Sequence, residues 1–137
     1  MRRAWVLVPL AVVAGCGGGS SKSTSTSTPA KPPADDPVSV AQAYVDALGA
    51  GDYATDCALI SKAAAAQATE SGKTTCERHF AKVMKAVGST ATDFFKGAKA
   101  GSPTVKGNAA TVVVTSTKGK RNQLSLVRES GRWRVSS

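Results

Sequence analysis

Few side chains in this sequence have the type and spacing for covalent or acid–base chemistry, and three of them are cysteines: Cys16, Cys57 and Cys76. Cys16 closes the run Val13-Ala14-Gly15-Cys16, directly behind an apolar stretch. Cys57 and Cys76 are separated by eighteen residues with no second ligand pair beside them. That pattern does not fit a tetrahedral metal site, so no metal is expected. The only histidine, His79, lies three residues after Cys76 and four before Val83. On a helix it borders the apolar stripe, as a base facing the interior or, more plainly, as a flanking residue. Tyr44, on the apolar side of an earlier helix, offers a hydroxyl to a pocket or to a single core hydrogen bond. Trp133 is the third residue that could line such a pocket. The chain carries no glycine-rich phosphate loop and no Ser/His/Asp set. Neither a catalytic residue nor a cofactor is expected.

The segment before Cys16 explains that cysteine. Met1-Arg2-Arg3 is a short positive start, and Ala4 to Ala14 is apolar except for Pro9. Eleven residues are too few to span hydrocarbon as a helix, which takes about 20. A charged start, a short apolar core and small residues after it form a secretory signal. An aliphatic residue, two small residues and a cysteine are the pattern of a lipobox, whose thiol takes diacylglycerol before cleavage. In these positions the chain resembles a bacterial lipoprotein. The resemblance implies a signal peptide over residues 1–15 and a diacylglycerol membrane anchor on Cys16. It also implies residence on the extracytoplasmic face of the cell membrane. An oxidising compartment and an even remaining pair predict a Cys57–Cys76 disulfide, the alternative being two buried thiols.

Residues 16–36 are, after Cys16, Gly, Ser, Thr, Pro and Ala with a few charges. Nothing there is large and apolar, so the segment cannot offset the entropy of ordering and is expected to be a tether. As a flexible coil, 20 residues span on the order of 25 Å.

Residues 37–137 are enough for one core. The first half has helical periodicity. Asp36 and Pro37 suit a cap and a first position, and Val40, Ala41, Tyr44, Val45 and Leu48 recur at three-and-four spacing. A second helix starts at Asp52-Tyr53 and carries Cys57, Leu59 and Ile60, with Ser61 capping an alanine-rich extension to about Glu70. A third places Cys76, Phe80, Val83, Met84 and Val87 on one stripe and stops at Gly88. Phe94 and Phe95 fall in a short helical turn. After Gly101 the period drops to two. Pro103 to Lys106 is a short strand, and Gly107-Asn108 and Ser130-Gly131 are hairpin turns. The last turn sets Glu129 opposite Arg132, Arg128 opposite Trp133 and Leu126 opposite Val135. Pairing Val112 with Leu126 and Val114 with Leu124 extends the apolar face to the preceding strand. The expected class is α+β: three N-terminal helices packed on a curved antiparallel sheet of about four strands.

Two stretches carry a further resemblance. Leu48-Gly49-Ala50-Gly51-Asp52-Tyr53 and the ending Ser130-Gly131-Arg132-Trp133-Arg134-Val135 are similar to the opening turn and terminal hairpin of the nuclear transport factor 2-like superfamily. In both features the chain resembles small bacterial lipoproteins with such a domain. The resemblance implies a short cone-like domain over residues 37–137. Enzymes of the superfamily use Asp, His or Tyr inside the cone, and no acid lies on the inward face of the predicted strands. Many members also place a hairpin between the second and third helices, and Ala63 to Lys73 offers none.

Charge is divided sharply. Residues 37–95 hold five basic and six acidic side chains, whereas residues 96–137 hold nine basic and one acidic. The excess falls on the sheet half, with Lys118, Lys120, Arg121, Arg132 and Arg134 as candidate contacts to an anionic surface. Nucleic acid is not the expected partner, since an exported, anchored chain does not meet it and the basic loop lacks stacking aromatics. Anionic lipid, an acidic wall polymer or an envelope protein remain. The expectation is a membrane-anchored, non-catalytic binding or accessory module at the cell envelope. Two other classes stay open: an enzyme for a small apolar substrate, working through His79 or Tyr44, and a purely structural envelope subunit.

Overall fold

A computed structural model describes residues 35–137. The expected signal peptide, the lipidated Cys16 and all of the tether but its last two residues lie outside the described residues.

Among the described residues five helices precede a four-stranded sheet: α1 (Pro37–Ala50), α2 (Tyr53–Leu59), α3 (Lys62–Ala68), α4 (Cys76–Val87) and α5 (Ser89–Phe95). The strands are β1 (Lys99–Lys106), β2 (Ala109–Thr115), β3 (Arg121–Glu129) and β4 (Arg132–Val135), an antiparallel meander in chain order. The α+β class is therefore as expected, while the helices number five rather than three.

Four of the five helix starts have a side-chain cap, and α5 follows Gly88 without one. Asp36 caps α1 by accepting the Ser39 N–H at 2.9 Å, with Pro37 behind it. Asp52, Ser61 and Thr75 cap α2, α3 and α4 in the same way. α1 runs through Gly49 to Ala50 and is capped by Gly51, whose φ of 73° is the left-handed C-cap conformation. A β-carbon on Gly49 would stand 3.1 Å from the Phe95 carbonyl, so this glycine lets α1 cross the end of α5 closely. The sequence carries the second helix through Ile60, with Ser61 capping an alanine-rich extension. Ile60 instead turns extended and pairs with Val135, and the Ser61 N–H bonds the Val135 carbonyl at 2.8 Å. The open edge of β4 thus takes up backbone groups that the helix would have used.

The disulfide between Cys57 and Cys76 is formed and ties α2 to the first residue of α4, with Cα atoms 6.0 Å apart. α1 is the helix laid on the sheet. Val40, Ala41 and Val45 meet Ala110, Val112, Val114, Leu124, Leu126, Trp133 and Val135 in one cluster. Every member of that core lies between Val40 and Val135, so the described residues carry a complete core of their own. Gln42 stitches the layers: its Nε2 donates to the Ala98 carbonyl at 3.0 Å and its Oε1 accepts the Ala100 N–H at 2.8 Å.

The final hairpin has the expected register, Glu129 with Arg132, Arg128 with Trp133 and Leu126 with Val135. The β2–β3 register differs by two residues. Val112 faces Leu124, Ala110 faces Leu126 and Val114 faces Asn122. The Ser116–Lys120 turn causes this, because it closes tightly with the Ser116 N–H on the Lys120 carbonyl at 2.8 Å. A slip of two keeps every side chain on its face, so the apolar face survives the change. β1 starts at Lys99 rather than Pro103, with a bulge between Ala100 and Pro103. Of the stripe expected on α4, only Met84 is buried, while Val83 and Val87 are exposed. α4 packs on α2, α3 and α5 instead of on the sheet, which leaves the second half of its stripe uncovered.

Candidate functional site

With α1 on one side of the sheet, the alternate residues of every strand point away from the helices. Pairing places them in rows. Lys106, Ala109, Val127 and Arg134 form one row across all four strands, and Lys99, Thr115 and Arg121 form another across three. Strand spacing sets the first row at about 15 Å, and the two rows lie about 20 Å apart along β2. Between them lie Thr104, Thr111, Ser125, Val113 and Gln123. The face is a neutral Thr/Val/Ser centre with a basic side chain at each corner, and Arg132 adds a fifth at the β3–β4 tip.

Two charges of this face are engaged in the fold. The Arg134 guanidinium donates to the Ala58 carbonyl at the end of α2. Both carboxylate oxygens of Glu129 accept the Lys62 N–H, which opens α3. Ile60, Lys62, Glu129, Arg132 and Arg134 line a hollow of about 410 Å³ at this corner. Arg132 and Arg134 therefore share one site, and Arg121 stands on the same face. Lys118 and Lys120 sit elsewhere, on the β2–β3 turn beside a second hollow of about 380 Å³. Nine residues of β3 separate the two ends by roughly 25 Å, so the five candidate contacts do not form one cluster.

The three candidate pocket residues are likewise divided. Tyr44 and His79 both set their rings edge-on to Phe80, at 6.4 and 6.1 Å between centroids. Trp133 is in the core, 4% exposed, with the Arg128 guanidinium 4.9 Å over its ring. Neither hollow described above is lined by any of the three.

The chain matches no protein-family model, no curated protein and no solved structure.

The most unusual ionisable group is one that sequence reasoning passed over. Asp56, on α2, is fully buried, and among the described residues neither carboxyl oxygen has a hydrogen-bond partner. An unpaired buried carboxylate is costly, so the neutral acid is favoured. Burial first, and the Asp52 charge second, push its pKa up to about 8. At neutral pH Asp56 is thus largely a carboxylic acid, and the helical half loses one of the negative charges counted in its sequence. Burial, reinforced by Asp56, likewise pushes the Tyr44 hydroxyl up to about 12. The signal for Asp56 was its position. It lies three residues after Tyr53 and three before Leu59, on the inward side of α2. No group of three or more metal-ligating side chains occurs among the described residues, and no helix there is long and apolar enough to cross a membrane.

Proposed function

We propose that this chain is a lipid-anchored, extracytoplasmic binding module that presents its bare sheet face to an anionic component of the cell envelope and performs no catalysis. The observation that carries the reading is the outer face itself, with Lys99, Lys106, Arg121, Arg132 and Arg134 around an uncharged centre. A broad, corner-charged surface suits an extended polyanion better than a small molecule, because its charges are too far apart to converge on one atom. The lipobox at Cys16 supports the location, and its diacylglycerol would hold the face within a few nanometres of the membrane. The fully buried Asp56 and the core position of Trp133 support a non-catalytic reading, since a substrate would have to open the core to reach them. The nuclear transport factor 2-like assignment belongs to the same proposal. Helices followed by an antiparallel meander, with the Gly51 cap and the Ser130-Gly131 hairpin in place, support it.

Residues 17–137 applied to immobilised polyphosphate test the function. Retention should be strong at low ionic strength and weaken steeply above about 0.1 M salt, where screening sets in. Lys106→Glu with Arg121→Glu should remove it without changing the melting temperature. Absence of retention at low salt, or indifference to the charge reversals, would overturn the reading.

A further inference from the structure

The described domain exposes three large aliphatic side chains, and two of them, Val83 and Val87, are one turn apart on α4, 41% and 57% exposed. Val87 continues into the hollow of about 380 Å³, whose wall includes Ala91, Phe94 and Phe95. Lys118 and Lys120 stand on the same hollow from the β2–β3 turn, and Asp93 is the one acid that lines it. Adjacent exposed valines that continue into a hollow walled by phenylalanines and lysines form a patch to which a partner can bind. At a membrane interface the combination is favourable, because apolar groups enter the acyl boundary while lysine stems reach out to the phosphates.

We propose that this end of the domain, formed by α5, the last turns of α4 and the β2–β3 turn, docks on the headgroup and upper acyl layer of an anionic bilayer. The proposal rests on the reading of the chain as an envelope module and supplies that module with a lipid contact separate from the sheet face. Charge and apolarity together select the partner. A soluble polyanion satisfies Lys118 and Lys120 but leaves Val83 and Val87 in water. A second copy of the chain covers the valines but sets lysine-rich surfaces against each other. A bilayer with acidic headgroups satisfies both. Orientation allows it. Gly49 near the end of α1 lies against Phe95, so this end is one helix length, about 20 Å, from where the tether joins. The reach expected of that tether, on the order of 25 Å, is enough for the domain to turn this end to the lipid.

The test is co-flotation of residues 17–137 with phosphatidylcholine vesicles, with and without phosphatidylglycerol. Binding is expected only to the mixed vesicles. Val83→Ser with Val87→Ser should weaken it about tenfold or more, and Lys118→Glu with Lys120→Glu should abolish it. All four positions are exposed, so an unchanged melting temperature shows that the fold is intact. The valine variant should keep its retention on polyphosphate through the sheet face. Vesicle binding unaffected by the valine substitutions overturns the proposal, as does a wild-type chain that ignores the mixed vesicles. So does a dimer that the valine substitutions dissolve in the absence of vesicle binding. Loss of polyphosphate retention with vesicle binding intact overturns the sheet-face function and leaves this inference standing.

Discussion

Both carboxylate oxygens of Glu129 accept the backbone N–H of Lys62, each at 3.2 Å. In the sheet Glu129 is paired with Arg132, so a charge that would otherwise neutralise the basic tip is turned toward the start of α3. The contact fastens the β3–β4 hairpin to the helical layer and leaves Arg132 free to face outward.

Replacing Glu129 therefore separates stability from charge. Glu129→Ala should lower stability by about 1 kcal/mol through the lost hydrogen bond and strengthen retention on polyphosphate by removing the one acid of the outer face. Glu129→Gln, which keeps an acceptor, should recover part of the stability and still bind more tightly. Thermal melts and salt-elution profiles check the two effects independently. A Glu129→Ala protein as stable as the wild type would show that the hairpin does not depend on this bond.

Asp56 predicts an unusual pH dependence. Its pKa is raised from 3.8 to about 8 on folding, so the folded chain binds the proton more tightly than the unfolded chain. The contribution is complete below the unfolded value, declines as pH rises from there, and is lost by the time pH passes about 8. For a fully buried acid the difference amounts to a few kcal/mol. Asp36 and Asp52 act in the opposite sense. Hydrogen bonds from Ser39 and Thr55 hold their carboxyls below the usual range, so their capping contribution is present above it and lost in stronger acid. Denaturation midpoints should be higher near pH 5 than near pH 9, and Asp56→Asn should flatten that difference and be the more stable protein at the alkaline end. Equal slopes for the two proteins would show that Asp56 does not titrate in this range.

The Cys57–Cys76 disulfide closes a loop containing all of α3. In the chain-entropy account, a loop of this size contributes about 3 kcal/mol by restricting the unfolded chain. Cys57→Ser with Cys76→Ser, or reduction of the wild type, should lower the melting temperature by several degrees or more. Addition of reductant without any shift would mean that the packing of Tyr44, Tyr53 and Phe80 around the bridge is sufficient to hold α2 on α4.

Local chemistry determined a large part of this protein from the sequence alone. Asp36, Asp52 and Ser61 cap their helices because their oxygens reach orphan N–H groups two or three residues ahead. Ser130-Gly131 dictates the final register because a two-residue turn leaves no other pairing, and the period of two in β2, β3 and β4 assigns the inner face. The cysteine arithmetic named the disulfide by the same kind of short-range reasoning. What depended on distant partners was decided only by the tertiary structure. Ser61 is a legible cap, but the extended pairing of Ile60 with Val135 that separates α2 from α3 depends on the free edge of β4. Among the described residues nothing covers Val83 and Val87, on a stripe whose period reads as buried. Asp56 has a legible inward position on α2, but only packing buries it fully and leaves its oxygens, among the described residues, without a partner. The five basic side chains expected to act together are divided between two ends of the sheet, because net charge is a sum along the chain whereas a site is a distance in space.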